Sequence, residues 1–286
     1  MQGIAPPLVT PFTKRGDLDL DRLRSLIEEM ESAGVDFLVL NGSTSEAPAC
    51  TPEERASIVE TALDHASIPV LVGTGQPGLP ETLAETALAS ELGADGALIV
   101  TPYYYPHGQE SLLAHYQQVA DEADIPVYLY SVPKFTGITL APETVQELAK
   151  HPNIVGMKDS SGSLSEFVRT IELLPDNGFE LFVGAGGILA PALQAGAAGG
   201  VLAMANIVPS EAAAVYEAHQ EGAHEQAREE GSRLVSINHA VTGRFGIPGL
   251  KWVMRQRGFS AGYSRTPFQP PRQEARQELE RLLHEL

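Results

Sequence analysis

The sequence contains a single cysteine, Cys50, so the chain cannot form an internal disulfide or a metal site built from several thiolates. Basic residues are scarce as well, because 19 Lys and Arg stand against 37 Asp and Glu and give a formal net charge of −18. Such an acidic chain is a poor binder of nucleic acid and of anionic membranes. The sequence also lacks a signal-peptide pattern and any window of about 18 apolar residues. We therefore expect a cytoplasmic protein without a nucleic-acid or membrane partner.

Apolar residues make up 43% of the 286 residues and charged residues 20%, which is typical of a folded protein with a sizeable core. Eight short apolar runs recur along the chain. Most are near-continuous rather than alternating, as in parallel strands buried on both faces. The runs are Ile4–Val9, Val35–Leu40, Pro69–Gly73, Gly96–Val100, Pro126–Tyr130, Ile154–Lys158, Glu180–Val183 and Gly200–Ala203.

The segments between these runs carry the start and stop signals of helices. Thr51–Glu54 and Ser163–Glu166 each place a hydroxyl three residues before a glutamate, which is the capping-box pattern. Gly34 and Gly93 follow apolar helical patterns and can adopt the left-handed conformation that ends a helix. Strand and helix alternate eight times, which predicts a (β/α)8 barrel, with an open doubly wound sheet as the alternative.

About 80 residues follow the last predicted strand, and they read as helices. The predicted helices are Pro209–Glu221, Glu225–Val241, Pro248–Arg257 and Arg272–Leu286. The first of them completes the eighth unit of the barrel. We therefore expect a catalytic barrel over residues 1–222 and a C-terminal helical extension packed on it over residues 223–286.

Lys158 is the strongest catalytic candidate, because functional residues of such barrels gather at the carboxyl ends of the strands. It is the only one of the five lysines that closes a strand-like apolar run. Partial desolvation there favours the neutral amine, which can attack a ketone and form a Schiff base. The alternative is a structural lysine paired with Asp159 or Glu46, and position alone does not decide between the two.

Tyr130 closes the neighbouring run and offers a phenol for proton transfer. Thr44 supplies a second hydroxyl from the loop after the second run. In that loop the backbone N–H groups of Ser43 and Thr44 can hold a carboxylate. The alternatives are an amphipathic aromatic at the barrel rim for Tyr130 and an ordinary turn for Ser43 and Thr44.

The sequence offers little support for a metal or a nucleotide cofactor. None of the eight histidines ends a strand, and neither HxH nor HExxH occurs, so a zinc site is not expected. A carboxylate-bound magnesium stays open. The segment Gly73–Gly78 matches GxGxxG, but no acidic residue ends the following strand, which argues against a nicotinamide site.

Taken together, these segments resemble the dihydrodipicolinate synthase / N-acetylneuraminate lyase family. The matching segments are Gly42–Glu46, Thr101–Tyr104, Tyr130–Pro133 and Gly156–Asp159. The resemblance runs from about Ile4 to Phe268. It implies a barrel with a C-terminal helical extension and a class I lyase that works through a pyruvate Schiff base. It also implies no cofactor beyond that covalent imine, and a homotetramer built from two dimers.

The resemblance further implies a role for each site residue. Lys158 would form the imine, Tyr130 would handle the proton and Thr44 would relay it. Ser43 and Thr44 would bind the carboxylate of the keto acid.

Three other residues complete the site that the resemblance implies. Tyr104 would reach into the proton relay of a neighbouring subunit. The backbone at Gly184 and Leu202 would line the pyruvate pocket.

Three stretches look most similar to the 4-hydroxy-2-oxoglutarate aldolase branch, namely Leu129–Pro133, His151–Ser160 and Arg244–Lys251. We therefore expect cleavage of a 4-hydroxy-2-keto acid, best 4-hydroxy-2-oxoglutarate, to pyruvate and glyoxylate. The alternatives are 4-hydroxy-tetrahydrodipicolinate (dihydrodipicolinate) synthase, a sugar-derived 2-keto-3-deoxy acid aldolase or dehydratase, and a catalytically idle regulator that binds a keto acid.

Two positions depart from the family pattern. Ser45 replaces a glycine that many members have in the loop after the second strand. Phe135 lies where true synthases carry an arginine that meets a second carboxylate, and the neighbouring Lys134 compensates for it only in part. Loss of a fixed bidentate cation weakens the synthase interpretation.

Overall fold

Eight parallel strands form the centre of the molecule, in a computed structural model that describes residues 1–284. From β2 to β8 each strand hydrogen-bonds to the next in sequence, and β1 pairs with β8. The strands are β1 (Gly3–Ala5), β2 (Leu38–Leu40), β3 (Val70–Gly73), β4 (Gly96–Val100), β5 (Val127–Ser131), β6 (Ile154–Asp159), β7 (Glu180–Val183) and β8 (Gly199–Val201). This order confirms the (β/α)8 barrel and excludes the open doubly wound sheet.

The barrel closes between β1 and β2 by a bridge rather than by a full ladder. Pro7 pairs with Val39, whose carbonyl accepts a hydrogen bond from the Leu8 N–H at 2.8 Å and whose N–H donates to Pro6 O at 3.2 Å. Pro6 and Pro7 have no N–H to donate, so a continuous ladder cannot form here. For this reason β1 ends at Ala5, although the apolar run continues to Val9.

Aromatic side chains fill the lower interior of the barrel. Phe37 and Phe182 meet edge to face with their ring centroids 5.4 Å apart, and Tyr128 packs beside Phe182. Gly156 is required opposite Tyr128, because a Cβ at residue 156 would lie 2.6 Å from its ring. This layer closes the floor of the barrel and leaves its carboxyl end for a site.

Helices alternate with the strands and continue beyond them. They are α1 (Leu20–Ser32), α2 (Pro52–Leu63), α3 (Leu79–Leu92), α4 (Gln109–Glu122), α5 (Pro133–Thr136), α6 (Pro142–Leu148), α7 (Leu164–Leu173), α8 (Leu189–Gln194), α9 (Pro209–Gln220), α10 (His224–Asn238), α11 (Gly246–Gln256) and α12 (Gln273–His284). Thr51 caps α2 in the predicted capping box, and Ser163 caps α7 through the Glu166 N–H.

The helices after β8 follow the predicted pattern with two differences. α10 ends at Asn238, earlier than predicted, and the chain continues as a wider π-helical turn over His239–Arg244. The predicted end of the last helix at Leu286 lies outside the described residues. The division at residue 222 stays a prediction. Within residues 1–284, none of the helices has both the length and the apolar character to cross a membrane.

Candidate active site

The carboxyl end of the barrel opens into a cavity of about 570 Å³. Loops that follow β2, β3, β4 and β5 form one side of it, and the segment 247–268 closes the other. Ser43, Gln76, Tyr103, Tyr130 and Phe268 all line this cavity. Its volume lies within the range of cavities that bind whole small molecules.

Lys158 lies next to this cavity, on β6, where it pairs in register with Tyr130 of β5. Its side chain is 6% exposed, and its Nζ lies 4.5 Å from the centroid of the Tyr130 ring. Within residues 1–284 no carboxylate lies within 4.0 Å of that Nζ. The structure therefore brings Lys158 and Tyr130 together and presents an amine that no ion pair occupies.

The two carboxylates that could have paired with Lys158 have other partners. Asp159 accepts hydrogen bonds from the backbone N–H of Ser161 at 2.7 Å and from its Oγ at 3.0 Å. Burial raises the pKa of Asp159, and the bonds from Ser161 oppose this effect. Glu46 pairs with Lys251 instead. The interpretation of Lys158 as a structural ion-pair lysine is therefore not supported.

The loop after β2 presents Ser43 at the cavity wall, with Thr44 beside it. The backbone N–H groups of both residues find no acceptor within residues 1–284, so they are free to bind a carboxylate. Ser45, the departure from the family pattern, is buried and donates its hydroxyl to Leu8 O at 2.6 Å. The serine thus ties the loop to the segment after β1.

A buried ion pair holds the far end of this loop. Glu46 Oε1 accepts from Lys251 Nζ at 2.5 Å, and both side chains are fully buried. Lys251 also donates to Thr10 O at 2.6 Å and to Tyr263 O at 2.8 Å. Burial lowers the pKa of Lys251 to about 8, although Glu46 acts in the opposite direction. Glu46 itself has a left-handed backbone with φ of 58°.

Sequence reasoning did not identify Lys251 as part of the site. Its only signal there was membership of a stretch that resembles one branch of the family. Because 205 residues separate it from Glu46, no local pattern connects the two.

Gly184 directly follows β7 and Leu202 directly follows β8. Neither is among the residues that line the cavity. Gly184 donates its N–H to Asp159 O at 2.7 Å, and a Cβ there would meet Ser160 Oγ at 1.9 Å. Leu202 is fully buried and donates its N–H to Ala5 O. Their role in binding pyruvate stays a prediction.

The loop after β4 separates two tyrosines of different exposure. Tyr103 lines the cavity, whereas Tyr104 is 85% exposed. Tyr104 has a φ of 86°, a conformation that is rare for a residue with a bulky side chain. Its ring packs edge to face on Tyr105, with centroids 5.0 Å apart. Within its own chain, Tyr104 therefore does not join Lys158 and Tyr130.

The side chains of residues 1–284 do not gather three or more His, Cys, Asp or Glu in an arrangement that could hold a metal ion. The expectation that the reaction needs only the covalent imine stays a prediction.

A family model described as the Dihydrodipicolinate synthetase family matches residues 1–286. The chain belongs to the dihydrodipicolinate synthetase family. Members of this family are lyases of the pyruvate-dependent aldolase type, so the chain is a carbon–carbon lyase by descent.

Relatives and solved structures of the dihydrodipicolinate synthetase family match along nearly the whole chain. A 4-hydroxy-tetrahydrodipicolinate synthase of Methanospirillum hungatei is 37% identical over 286 residues, which cover 99% of this chain and 98% of the relative. The dihydrodipicolinate synthase of Acinetobacter baumannii, solved with pyruvate, has a TM-score of 0.95 at 31% identity and covers 99% of this chain and 98% of its own.

These names do not single out the 4-hydroxy-2-oxoglutarate aldolase branch that the three stretches suggested. They match the alternative, a synthase, better. The reason is that two of the three stretches surround Tyr130 and Lys158, the predicted proton-handling tyrosine and imine lysine, whose roles the resemblance implies for the family as a whole. They carry little information on the second substrate.

We expect the family member described here to be at least a dimer, in keeping with the predicted homotetramer. The exposed pair Tyr104 and Tyr105 forms an aromatic, proline-braced surface, which is typical of an interface. One solved relative is a monomeric variant of dihydrodipicolinate synthase. It has a TM-score of 0.95 at 29% identity and covers 100% of this chain and 96% of its own. Light scattering measures the state directly, and a fully active monomer would contradict a role for Tyr104 in a neighbouring site.

Proposed function

We propose that this protein forms and cleaves the carbon–carbon bond between pyruvate and an aldehyde, through an imine on Lys158. The observation that carries this proposal is the position of Lys158, buried at the carboxyl end of β6, free of any ion pair within the described residues and directly over the Tyr130 ring. Membership of a family of pyruvate-dependent lyases supports the same chemistry.

The reaction begins when the neutral amine of Lys158 attacks the ketone of pyruvate and water leaves, which gives a protonated imine. Loss of a proton from the methyl group then forms an enamine. The enamine carbon bonds to the aldehyde carbon, and the resulting alkoxide takes up a proton. Hydrolysis of the imine restores the amine and releases a 4-hydroxy-2-keto acid. The reverse sequence cleaves that acid.

The remaining residues support these steps. The free backbone N–H groups of Ser43 and Thr44 bind the carboxylate of pyruvate, which keeps the ketone beside Lys158. Tyr130 transfers the protons, because its phenol belongs to the side chain that lies against the amine. The Thr44 hydroxyl relays a proton between Tyr130 and the substrate. Gly184 and Leu202 complete the pyruvate pocket, and Tyr104 completes the relay of a neighbouring subunit.

Two named reactions fit this chemistry. Condensation with aspartate semialdehyde, as in a 4-hydroxy-tetrahydrodipicolinate synthase, is supported by the names of the relatives. Cleavage of 4-hydroxy-2-oxoglutarate to glyoxylate is supported by Phe135, because the arginine that meets a distal carboxylate is missing there. Glyoxylate has its carboxylate directly on the aldehyde carbon, so it needs no cation near Phe135.

The proposed function is tested by measuring pyruvate release from a panel of 4-hydroxy-2-keto acids, with aspartate semialdehyde condensation assayed in the same buffer. We expect turnover with at least one acid of the panel. If neither cleavage nor condensation occurs, although pyruvate binds, the protein is the idle keto-acid-binding regulator instead.

Tyr130→Phe removes the phenol and keeps the ring that packs on Lys158. General acid–base steps contribute on the order of 10²–10⁴-fold, so we expect kcat to fall by about that factor while the Lys158 imine still forms. The matched control is Tyr105→Phe, which alters a tyrosine that is 68% exposed and outside the cavity. Wild-type kcat in Tyr130→Phe would show that another group moves the proton.

A further inference from the structure

The end of the cavity that carries Phe135 and Phe268, here called the wide end, has a largely apolar wall, in which Thr136 and Thr266 are polar members. Three separate parts of the chain build it: the loop after β2, helix α5, and the segment 247–268. Its members are Pro48, Ala49, Phe135, Ile247, Pro267 and Phe268. The aromatic rings are available to a ligand, since Phe135 is 63% exposed and Phe268 is 41% exposed.

No lysine, arginine or histidine is among the cavity-lining residues within the described part of the chain, residues 1–284. The single charged residue of the lining is Glu46, whose carboxylate is taken up by Lys251 and by the backbone N–H of Arg265 at 2.9 Å. A carboxylate that packs against this wall would therefore give up part of its hydration without gaining a cationic partner among the lining residues, which is unfavourable.

Two basic residues flank the wall in sequence, but both are engaged elsewhere. Lys134 precedes Phe135, and its Nζ donates to Thr242 O at 2.6 Å. Arg265 precedes Thr266, and its guanidinium donates to both carboxylate oxygens of Glu54 at 2.6 and 2.7 Å. It also donates to two backbone carbonyls. Arg265 is therefore fully engaged, whereas Lys134 Nζ lies at the edge of the wall, 5.6 Å from the centroid of the Phe135 ring, and is not one of the cavity-lining residues.

The cavity is also larger than pyruvate needs. A keto acid with six heavy atoms displaces about six waters, or roughly 180 Å³ at ~30 Å³ each. The cavity has about 570 Å³, so most of it remains for the second substrate. Glyoxylate would leave the apolar wall uncovered.

We propose that the aldehyde partner carries an aliphatic or aromatic group and no distal carboxylate, and that Phe135, Ile247 and Phe268 bind this group. The inference rests on the proposed imine chemistry and names the substrate class for it. The reaction balances as an addition: pyruvate plus R–CHO gives R–CH(OH)–CH₂–CO–COO⁻, with the enamine supplying the electron pair for the new bond. Hydrolysis of the product imine consumes one water, which balances the water released when the imine formed, and restores the amine of Lys158.

The test compares butanal with succinic semialdehyde, which has the same number of carbons and ends in a carboxylate instead of a methyl group. With pyruvate held constant, product formation gives kcat/KM for each aldehyde. A single methylene in an apolar pocket changes kcat/KM by about 10–200-fold, so we expect butanal to exceed succinic semialdehyde by about tenfold or more. A smaller ratio, or a preference for succinic semialdehyde or aspartate semialdehyde, overturns the inference.

Substitutions of Phe135 test whether the apolar wall causes the preference for butanal. Phe135→Arg places a cation at the wide end, and we expect it to reduce the ratio by about tenfold, the scale of one pocket contact. Phe135→Leu keeps the wall apolar and should preserve the ratio. Val235→Arg adds the same charge at a residue of α10 that is 42% exposed and outside the cavity, and it should also preserve the ratio. An unchanged ratio in Phe135→Arg contradicts the inference.

A trapping experiment separates the substrate class from the imine chemistry. Borohydride trapping of pyruvate on Lys158 needs no aldehyde, so it reports the imine alone. An adduct on Lys158 without a preference for butanal overturns only the substrate class. Absence of the adduct overturns the imine chemistry, and with it the inference.

Discussion

We expect Lys158→Ala to abolish turnover and leave the fold intact, and we expect the wild-type protein to gain a reduced pyruvate adduct on Lys158 when pyruvate and borohydride are added together. Removing a covalent nucleophile lowers kcat by on the order of 10⁶-fold in a well-studied enzyme, and we expect a loss of that order here. Peptide mass spectrometry identifies the modified lysine, and the melting temperature reports the fold.

The chain offers a matched control for this experiment. Lys150 is an exposed lysine that pairs with Glu147 on the protein surface, so Lys150→Ala should keep full turnover. Lys158→Arg keeps the positive charge but cannot form the imine under these conditions, because arginine stays protonated. It should be inactive as well. An adduct on a different lysine, or on none, would contradict the mechanism.

The second large effect concerns stability. Lys251→Met leaves the carboxylate of Glu46 buried without a cation, and breaking a buried ion pair in this way costs about 3–5 kcal/mol of the free energy of unfolding. The paired side chains are both fully buried, so solvent cannot replace the lost partner. Denaturant unfolding of wild type and variant measures the difference.

Two further variants isolate the interaction. In Lys251→Met combined with Glu46→Gln no buried charge is left alone, so we expect part of the lost stability to return. Lys150→Met breaks an exposed pair on the surface and should cost at most about 1 kcal/mol. If Lys251→Met costs no more than this surface control, the buried pair does not hold the loop as the contacts indicate.

The fold was largely predictable from sequence because buried parallel strands leave apolar runs. Gly96–Val100 and Glu180–Val183 are strands with the predicted bounds. The run Ile4–Val9 predicts a longer strand than β1, which ends at Ala5. Pro6 and Pro7 lack the backbone N–H groups that a ladder needs, and hydropathy does not record this. Helices α5 and α6 were missed, since four and seven residues are too few to show a helical period.

Some residues of the candidate site could be predicted from the sequence and others could not. Lys158 and Tyr130 close predicted strands and Ser43 follows one, so their place at the carboxyl end of the barrel could be predicted from order along the chain. The Lys251–Glu46 pair and the wall formed by Phe268 could not be predicted, because they depend on how the C-terminal segment folds back over the barrel. Residues around the proposed imine lysine carry little information on the aldehyde, which is the reason that local resemblance did not identify the second substrate.

The ion pair between Glu46 and Lys251 sets an order of events during protein synthesis. A ribosome adds about 5–20 residues per second, so the 205 residues between the two side chains take roughly 10–40 s to make at that rate. During this time Glu46 has no cation to accompany it into the interior, and the loop that carries Ser43 and Thr44 stays solvated. The loop that carries Ser43 and Thr44 therefore reaches its observed contacts only after translation has passed Tyr263. We therefore expect a nascent chain cut short before Lys251 to be sensitive to proteolysis and inactive.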